Sequence, residues 1–161
     1  MIIAFRMSEP EIVLVSACLL GVNCRYDGAS KRDSNVLNYV GNKLVIPVCP
    51  ESLSGLGFPR LAAEIEKGDG FTVLSGKSRV FFNDGTEVTR EFLAGAKEAL
   101  KIARISGAKF AILKDLSPSC GLNSVYNRGK RVRGVGIFTA LLIREGVTII
   151  CEKELPEEQS Q

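Results

Sequence analysis

Three short apolar runs in this chain are each followed closely by a cysteine: Ile12-Val13-Leu14-Val15 by Cys18, Leu44-Val45-Ile46-Pro47-Val48 by Cys49, and Phe110-Ala111-Ile112-Leu113 by Cys120. Apolar runs of this length, alternating with helical patterns, read as strands buried on both faces of a parallel sheet. Parallel strands end at a common edge, and that edge is where open α/β sheets bind their ligands. The pattern therefore predicts that three thiols distant in sequence converge on one site. The chain contains no histidine. This excludes Ser-His-Asp triads, Cys-His nucleophilic pairs and mixed Cys/His metal centres, and leaves a site built from sulfur and oxygen.

The remaining elements follow from periodicity and punctuation. Residues 34–40 read as a short helix with Gly41 placed to end it, and 71–74 with 79–82 read as a β-hairpin. The clearest helix is 88–106, where Val88, Phe92, Ala96, Ala99, Leu100 and Ala103 recur at helical spacing and Gly107 stops the run. After the strand at 110–114 a glycine-bearing loop leads to a helix at 136–145, stopped by Gly146, and to a last strand at 147–151. Strands alternating with helices imply parallel β-α-β units. The expected fold is α/β: one three-layer domain with a mostly parallel, Rossmann-like sheet of four or so strands and a small β-hairpin insertion. A chain of 161 residues, 45% hydrophobic and 24% charged, fits a single domain over 1–161. The ends, 1–10 and 156–161, read as flexible.

Composition narrows the partners. The net charge of +3 arises from 21 basic and 18 acidic residues spread along the chain, and the one dense basic run, 128–133, reads as a solvated loop or a lid. That balance does not argue for nucleic acid. The apolar stretch 1–6 is too short for a signal peptide, and no run reaches the roughly 18 apolar residues of a membrane helix. A cytoplasmic location is the expectation. In a reducing compartment five cysteines point to metal ligands, catalytic thiols or core residues before disulfides. Structural zinc sites usually pair their ligands as C-x-x-C, which is missing here, so thiolates gathered from scattered loops suit an iron-sulfur cluster at least as well.

The chemistry falls in three segments: Ser16-Ala17-Cys18-Leu19-Leu20-Gly21-Val22-Asn23-Cys24, Val48-Cys49-Pro50-Glu51 and Ser117-Pro118-Ser119-Cys120-Gly121. Together with Arg25-Tyr26-Asp27-Gly28, Pro59-Arg60, Ala63-Glu64-Ile65, Val88-Thr89, Gly95-Ala96 and Gly134-Val135-Gly136, they resemble the thiouracil desulfurase family from Ile12 to Glu152. The resemblance implies a [4Fe-4S] cluster held by only three cysteines, which would be Cys18, Cys49 and Cys120. It implies removal of sulfur from a thiolated pyrimidine base, with Glu51 as a catalytic carboxylate assisted by a serine, Ser117 by preference and Ser119 as the second choice. It also implies a small-molecule thiolated base and the iron-sulfur assembly machinery as partners. Cys151 departs from the family pattern, where serine is more usual, and reads as a core residue.

Elementary chemistry agrees with that implication. Three protein ligands leave one iron open, and a soft thiocarbonyl sulfur suits it. Polarising the C=S bond makes the ring carbon electrophilic, so that Glu51 can deprotonate an attacking water. The outcome is hydrolytic. Two alternatives stay open at this point: a non-enzymatic iron-sulfur or zinc protein in which Cys24 completes the coordination, and sulfur transfer to or from transfer-RNA thionucleosides, which would call for a strong basic face. Arg25, Asp27, Lys31 and Arg60 could contact a base or phosphate, or equally pair with neighbouring charges.

Overall fold

The computed structural model describes residues 8–156. The apolar stretch 1–6 and most of the tail 156–161 lie outside them; residues 8–10 and Pro156 are exposed coil. Along the chain run β1 (Ile12–Ser16), α1 (Ser34–Tyr39), β2 (Leu44–Val48), α2 (Pro50–Leu53), β3 (Ala63–Ile65), α3 (Gly70–Leu74) and β4 (Val80–Phe82). Then follow α4 (Thr89–Ser106), β5 (Phe110–Leu113), β6 (Ser124–Asn127), β7 (Lys130–Arg133), α5 (Ile137–Arg144) and β8 (Thr148–Cys151).

The main sheet has the order β2-β1-β5-β8, and every neighbouring pair is parallel. Its strands read as nearly continuous apolar segments because both faces are covered. Leu14, Ala111 and Leu113 pack with Phe92, Ala96, Ala99 and Phe138 of α4 and α5 on one face, whereas Val13, Val15 and Ile112 pack with Leu19, Val36 and Val40 on the α1 side. The three layers expected from the sequence are these. From β1 the chain passes through α1 to β2 on one side, whereas β5 and β8 lie on the other. Strand order thus reverses beside β1, which makes the crevice at its carboxyl end a binding position for this class of sheet.

Two segments differ from the sequence expectation. Residues 71–74 do not pair as a strand, because Asp69 starts a helix there. Its carboxylate accepts the Phe71 and Thr72 amides, and Thr72 Oγ1 accepts the Asp69 N–H in return. The hairpin partner of Val80–Phe82 is instead Ala63–Ile65, antiparallel. The basic run 128–133 is not an open loop either. It forms the turn and second strand of the β6–β7 hairpin, with Arg128 and Gly129 both at positive φ, as a two-residue type I′ turn demands.

Two glycines let helices reach the carboxyl edge of the sheet. A Cβ on Gly95 of α4 would overlap the Pro50 carbonyl, and one on Gly136 would overlap the backbone of Ser119. Each glycine brings a helix directly against a residue next to one of the three cysteines, Pro50 after Cys49 and Ser119 before Cys120.

Candidate functional site

The carboxyl ends of β2, β1 and β5, three adjacent strands, open into a cavity of about 520 Å³. Cys18, Cys24, Cys49, Cys120, Glu51 and Ser117 all line it. That volume is in the usual range for small-molecule sites. Cys18 sits in the 3₁₀ turn Ala17–Leu20 that ends β1, a turn closed by Gly21 at φ 97° and held by the Lys31 amide donating to the Cys18 carbonyl at 2.9 Å. Cys49 is the residue preceding α2, with Pro50 at the first helical position, where its missing N–H costs nothing. Cys120 lies in the turn after β5, and its amide donates to Ser117 Oγ at 3.0 Å. Cys151 is buried and lies outside the cavity lining, with Asn123 Nδ2 donating to its sulfur at 3.3 Å.

The thiols feel one another. Burial pushes Cys18 up to about 11, and the neighbouring Cys49 adds to the rise. Burial likewise raises Cys120 well above an ordinary thiol; a hydrogen bond with Ser16 opposes this, and Cys49, Cys18 and Glu51 reinforce it. Cys49 is the exception and is held low. A hydrogen bond with the Cys24 thiol is the main cause, burial opposes it, and Ser52 Oγ, donating to Cys49 Sγ at 3.3 Å, adds to it. Cys24 is pushed up by the same hydrogen bond and then by burial. Cys24 therefore belongs to the same constellation as the other three. Among the described residues no group of three or more Cys, Asp or Glu side chains is gathered tightly enough to hold a metal ion. The thiols stand around the cavity and do not close on a point.

Glu51 is anchored on both oxygens. Arg60 donates to Oε2 from Nη2 at 2.5 Å and from Nε at 3.2 Å, and the Ser117 hydroxyl donates to Oε1 at 3.3 Å. Ser117 Oγ accepts the Ser119 and Cys120 amides at 3.1 and 3.0 Å. Of the two candidate serines, Ser117 is thus the one whose side chain meets Glu51; Ser119, 1% exposed, lines the cavity and gives its amide to Ser117. The charged residues left open by the sequence divide. Arg60 pairs with Glu51, whereas Arg25 pairs with Asp27 at 3.4 Å and lies over the Tyr26 ring at 5.2 Å. Lys31 lines the cavity; Asp27 does not.

Sequence reasoning missed several residues of this wall. Glu64 of β3 and Tyr126 and Gly129 of the β6–β7 hairpin line the cavity, with Glu64 Oε2 accepting the Gly129 amide at 2.7 Å. Their signal was the alternation Ser124-Val125-Tyr126-Asn127 leading into Arg128-Gly129. Lys114 also lines the cavity, tied to Glu152 at 2.6 Å. Asp115, 3% exposed, organises the loop bearing Cys120. Its Oδ1 accepts the amides of Leu122, Asn123 and Ser124 at 3.0–3.2 Å.

Burial alone would raise the Asp115 carboxyl, but these amides outweigh it and hold it below the ordinary carboxylate range. A depressed acid contributes stability above its unfolded pKa of about 3.9 and loses it as pH falls through the folded value. Asp115→Asn is therefore expected to cost about 1.5–3 kcal/mol near neutrality, as for hydrogen bonds to a charged group. The deficit should shrink in acid. Urea unfolding of both proteins at pH 7 and at about pH 3 measures it; a deficit independent of pH would contradict the ionised network.

Three comparisons bear on this geometry. The uncharacterized protein YbbK of Bacillus subtilis (strain 168) is 39% identical over 147 residues, covering 89% of this chain and 97% of YbbK. The solved structure of the [4Fe-4S]-dependent thiouracil desulfidase TudS matches with a TM-score of 0.78 at 41% identity, covering 91% of this chain and 94% of that one. The family model described as 2-thiouracil desulfurase matches residues 13–154, nearly the whole of the described structure, and the chain belongs to that family.

Proposed function

We propose that the protein is a [4Fe-4S]-dependent desulfurase that converts a thiolated pyrimidine base, such as thiouracil, to the ordinary base with release of sulfide. The observation that carries this reading is the presence in one cavity of three thiols from adjacent strand ends and a carboxylate in contact with a hydroxyl. Family membership supports it, as does the likeness to TudS, which is described as [4Fe-4S]-dependent and as a thiouracil desulfidase. The donor set suits such a group. Cys18, Cys49 and Cys120 would hold it, the chain offers no imidazole, and all three thiols line the one cavity. When bound, the cluster would supply an iron lacking a protein ligand, a soft Lewis acid for a thiocarbonyl sulfur.

The chain's own residues handle the protons. Exchange of C=S for C=O consumes one water and releases one hydrogen sulfide, with no net transfer of electrons. The attacking oxygen must shed protons as it joins the ring carbon. Ser117 Oγ is fixed by two amides, so its own proton is directed to Glu51 Oε1. A proton arriving at Ser117 Oγ is passed on and held at Oε1, which makes Glu51 the general base and Ser117 its relay. Val48, Pro50 and Leu116 supply apolar wall that limits competing water.

Anaerobic reconstitution followed by assay with thiouracil tests the proposal. The expected result is iron and sulfide in the ratio of a [4Fe-4S] cluster and steady loss of the thiocarbonyl absorbance. A loaded protein that leaves thiouracil intact would sink it. The nearness of Cys24 to Cys49, whose Sγ donates to the Cys24 carbonyl at 3.8 Å at the wall of the same cavity, favours one competing reading, a four-cysteine electron-transfer centre. A small thiol or thiolated base should perturb the spectrum of an open cluster. No perturbation, together with cluster loss in Cys24→Ala, would favour the competing reading.

A further inference from the structure

Arg60 is nearly saturated before any substrate enters. Its guanidinium has five N–H donors in a rigid fork. Nε and one Nη2 hydrogen point to Glu51 Oε2, while Nη1 donates to the Gly57 carbonyl at 2.7 Å and the Cys24 carbonyl at 3.2 Å. Its backbone amide donates to the Tyr26 carbonyl at 2.7 Å. The side chains of Arg60 and Glu51 are only 4% and 14% exposed. One residue therefore joins the loop after β1, which carries Cys18 and Cys24, to the helix after β2, which follows Cys49 and carries Glu51.

We infer that Arg60 is a positioning residue for Glu51: it immobilises Oε2 so that Oε1 alone is left to Ser117 and the reacting water. This rests on the desulfuration reading and adds to it, since a carboxylate free to rotate would present either oxygen at varying distance from Ser117. Ser117 cannot compensate, because its own orientation is set by the Ser119 and Cys120 amides. The fork shape matters as much as the charge. A lysine ammonium could meet Oε2 but not span Glu51, Gly57 and Cys24 together.

The experiment compares Arg60→Lys and Arg60→Ala with the parent protein, all reconstituted anaerobically and matched for iron. Loss of positioning should lower kcat on the order of a hundredfold in Arg60→Ala with KM for thiouracil little changed. Millimolar guanidinium should restore part of that rate in Arg60→Ala, and Arg60→Lys should fall in between. A rise in KM at unchanged kcat would overturn the inference by placing Arg60 on the substrate. So would an iron-loaded Arg60→Ala that turns over at the parent rate or ignores guanidinium. A cycle of Glu51→Gln, Arg60→Lys and the double variant, read as urea midpoints of the cluster-free proteins, supplies a test independent of turnover. Strong non-additivity is expected, and additive shifts would overturn the inference. If the parent protein leaves thiouracil intact, the desulfuration reading fails while the cycle still decides whether Arg60 acts through Glu51.

Discussion

Single replacement of Cys18, Cys49 or Cys120 by alanine is expected to abolish the iron-sulfur absorbance of the reconstituted protein. Each thiol comes from the end of a different strand, β1, β2 or β5, so each replacement removes one of only three protein bonds to the cluster. The exception to weigh is Cys49, whose neighbour Cys24 is hydrogen-bonded to it and could take its place. Cys49→Ala in a Cys24→Ala background removes that compensation. Cys151→Ala should retain the full cluster, since its sulfur is buried under Asn123 outside the cavity. Iron and sulfide determination on each variant, beside a thermal melt to show folding, gives the answer. Full iron and sulfide in Cys18→Ala or Cys120→Ala would show the ligand set to be wrong.

The part of the site built by the parallel sheet was legible because topology alone creates it. Apolar runs short enough to be strands, with helices between them, point to a common carboxyl edge, and Cys18, Cys49 and Cys120 stand two, one and seven residues beyond the strand ends Ser16, Val48 and Leu113. The 88–106 helix was equally legible, since its buried residues Phe92, Ala96, Ala99, Leu100 and Ala103 keep one face throughout. What escaped was structure decided by local hydrogen bonds. Residues 71–74 carry Phe, Thr, Val and Leu, all at home in a strand, and a single carboxylate at Asp69 turns them into a helix. The β6–β7 hairpin hid behind its charge. Its turn is Arg128-Gly129, a poorer signature than Asn-Gly, and four of the six residues from 128 to 133 are basic.

Pairing across elements escaped for a different reason. Nothing in Pro59-Arg60 announces that this guanidinium meets a carboxylate nine residues earlier, because the contact depends on how the loop between α2 and β3 folds back on the strand ends. Ser117 and Ser119 are both near Cys120 in sequence, and only the turn geometry separates them. Ser117 Oγ collects two amides and faces Glu51, while Ser119 contributes its backbone. Sequence spacing thus brought the three cysteines to one cavity, and the folded loops decided which oxygens meet there.

Glu51→Gln is expected to leave the cluster assembled and to lower turnover of thiouracil on the order of a hundredfold or more, the usual scale of a lost general base. Glutamine keeps the size of the side chain, and its one carbonyl oxygen can still accept from Arg60, while an amide nitrogen that only donates takes the place of Oε1. It cannot hold the proton that Ser117 passes to Oε1. Because the change is nearly isosteric and Cys18, Cys49 and Cys120 are untouched, iron content should remain at the parent level, which separates a chemical defect from an assembly defect. Ser117→Ala should act more mildly on the proton path, yet it also strips the Ser119 and Cys120 amides of their acceptor. Its iron content must therefore be measured before its rate is interpreted. The order expected for iron-matched proteins is parent, then Ser117→Ala, then Glu51→Gln. A Glu51→Gln protein with a full cluster and near-parent turnover would remove Glu51 from the chemistry and, with it, the reason for Arg60 to hold it.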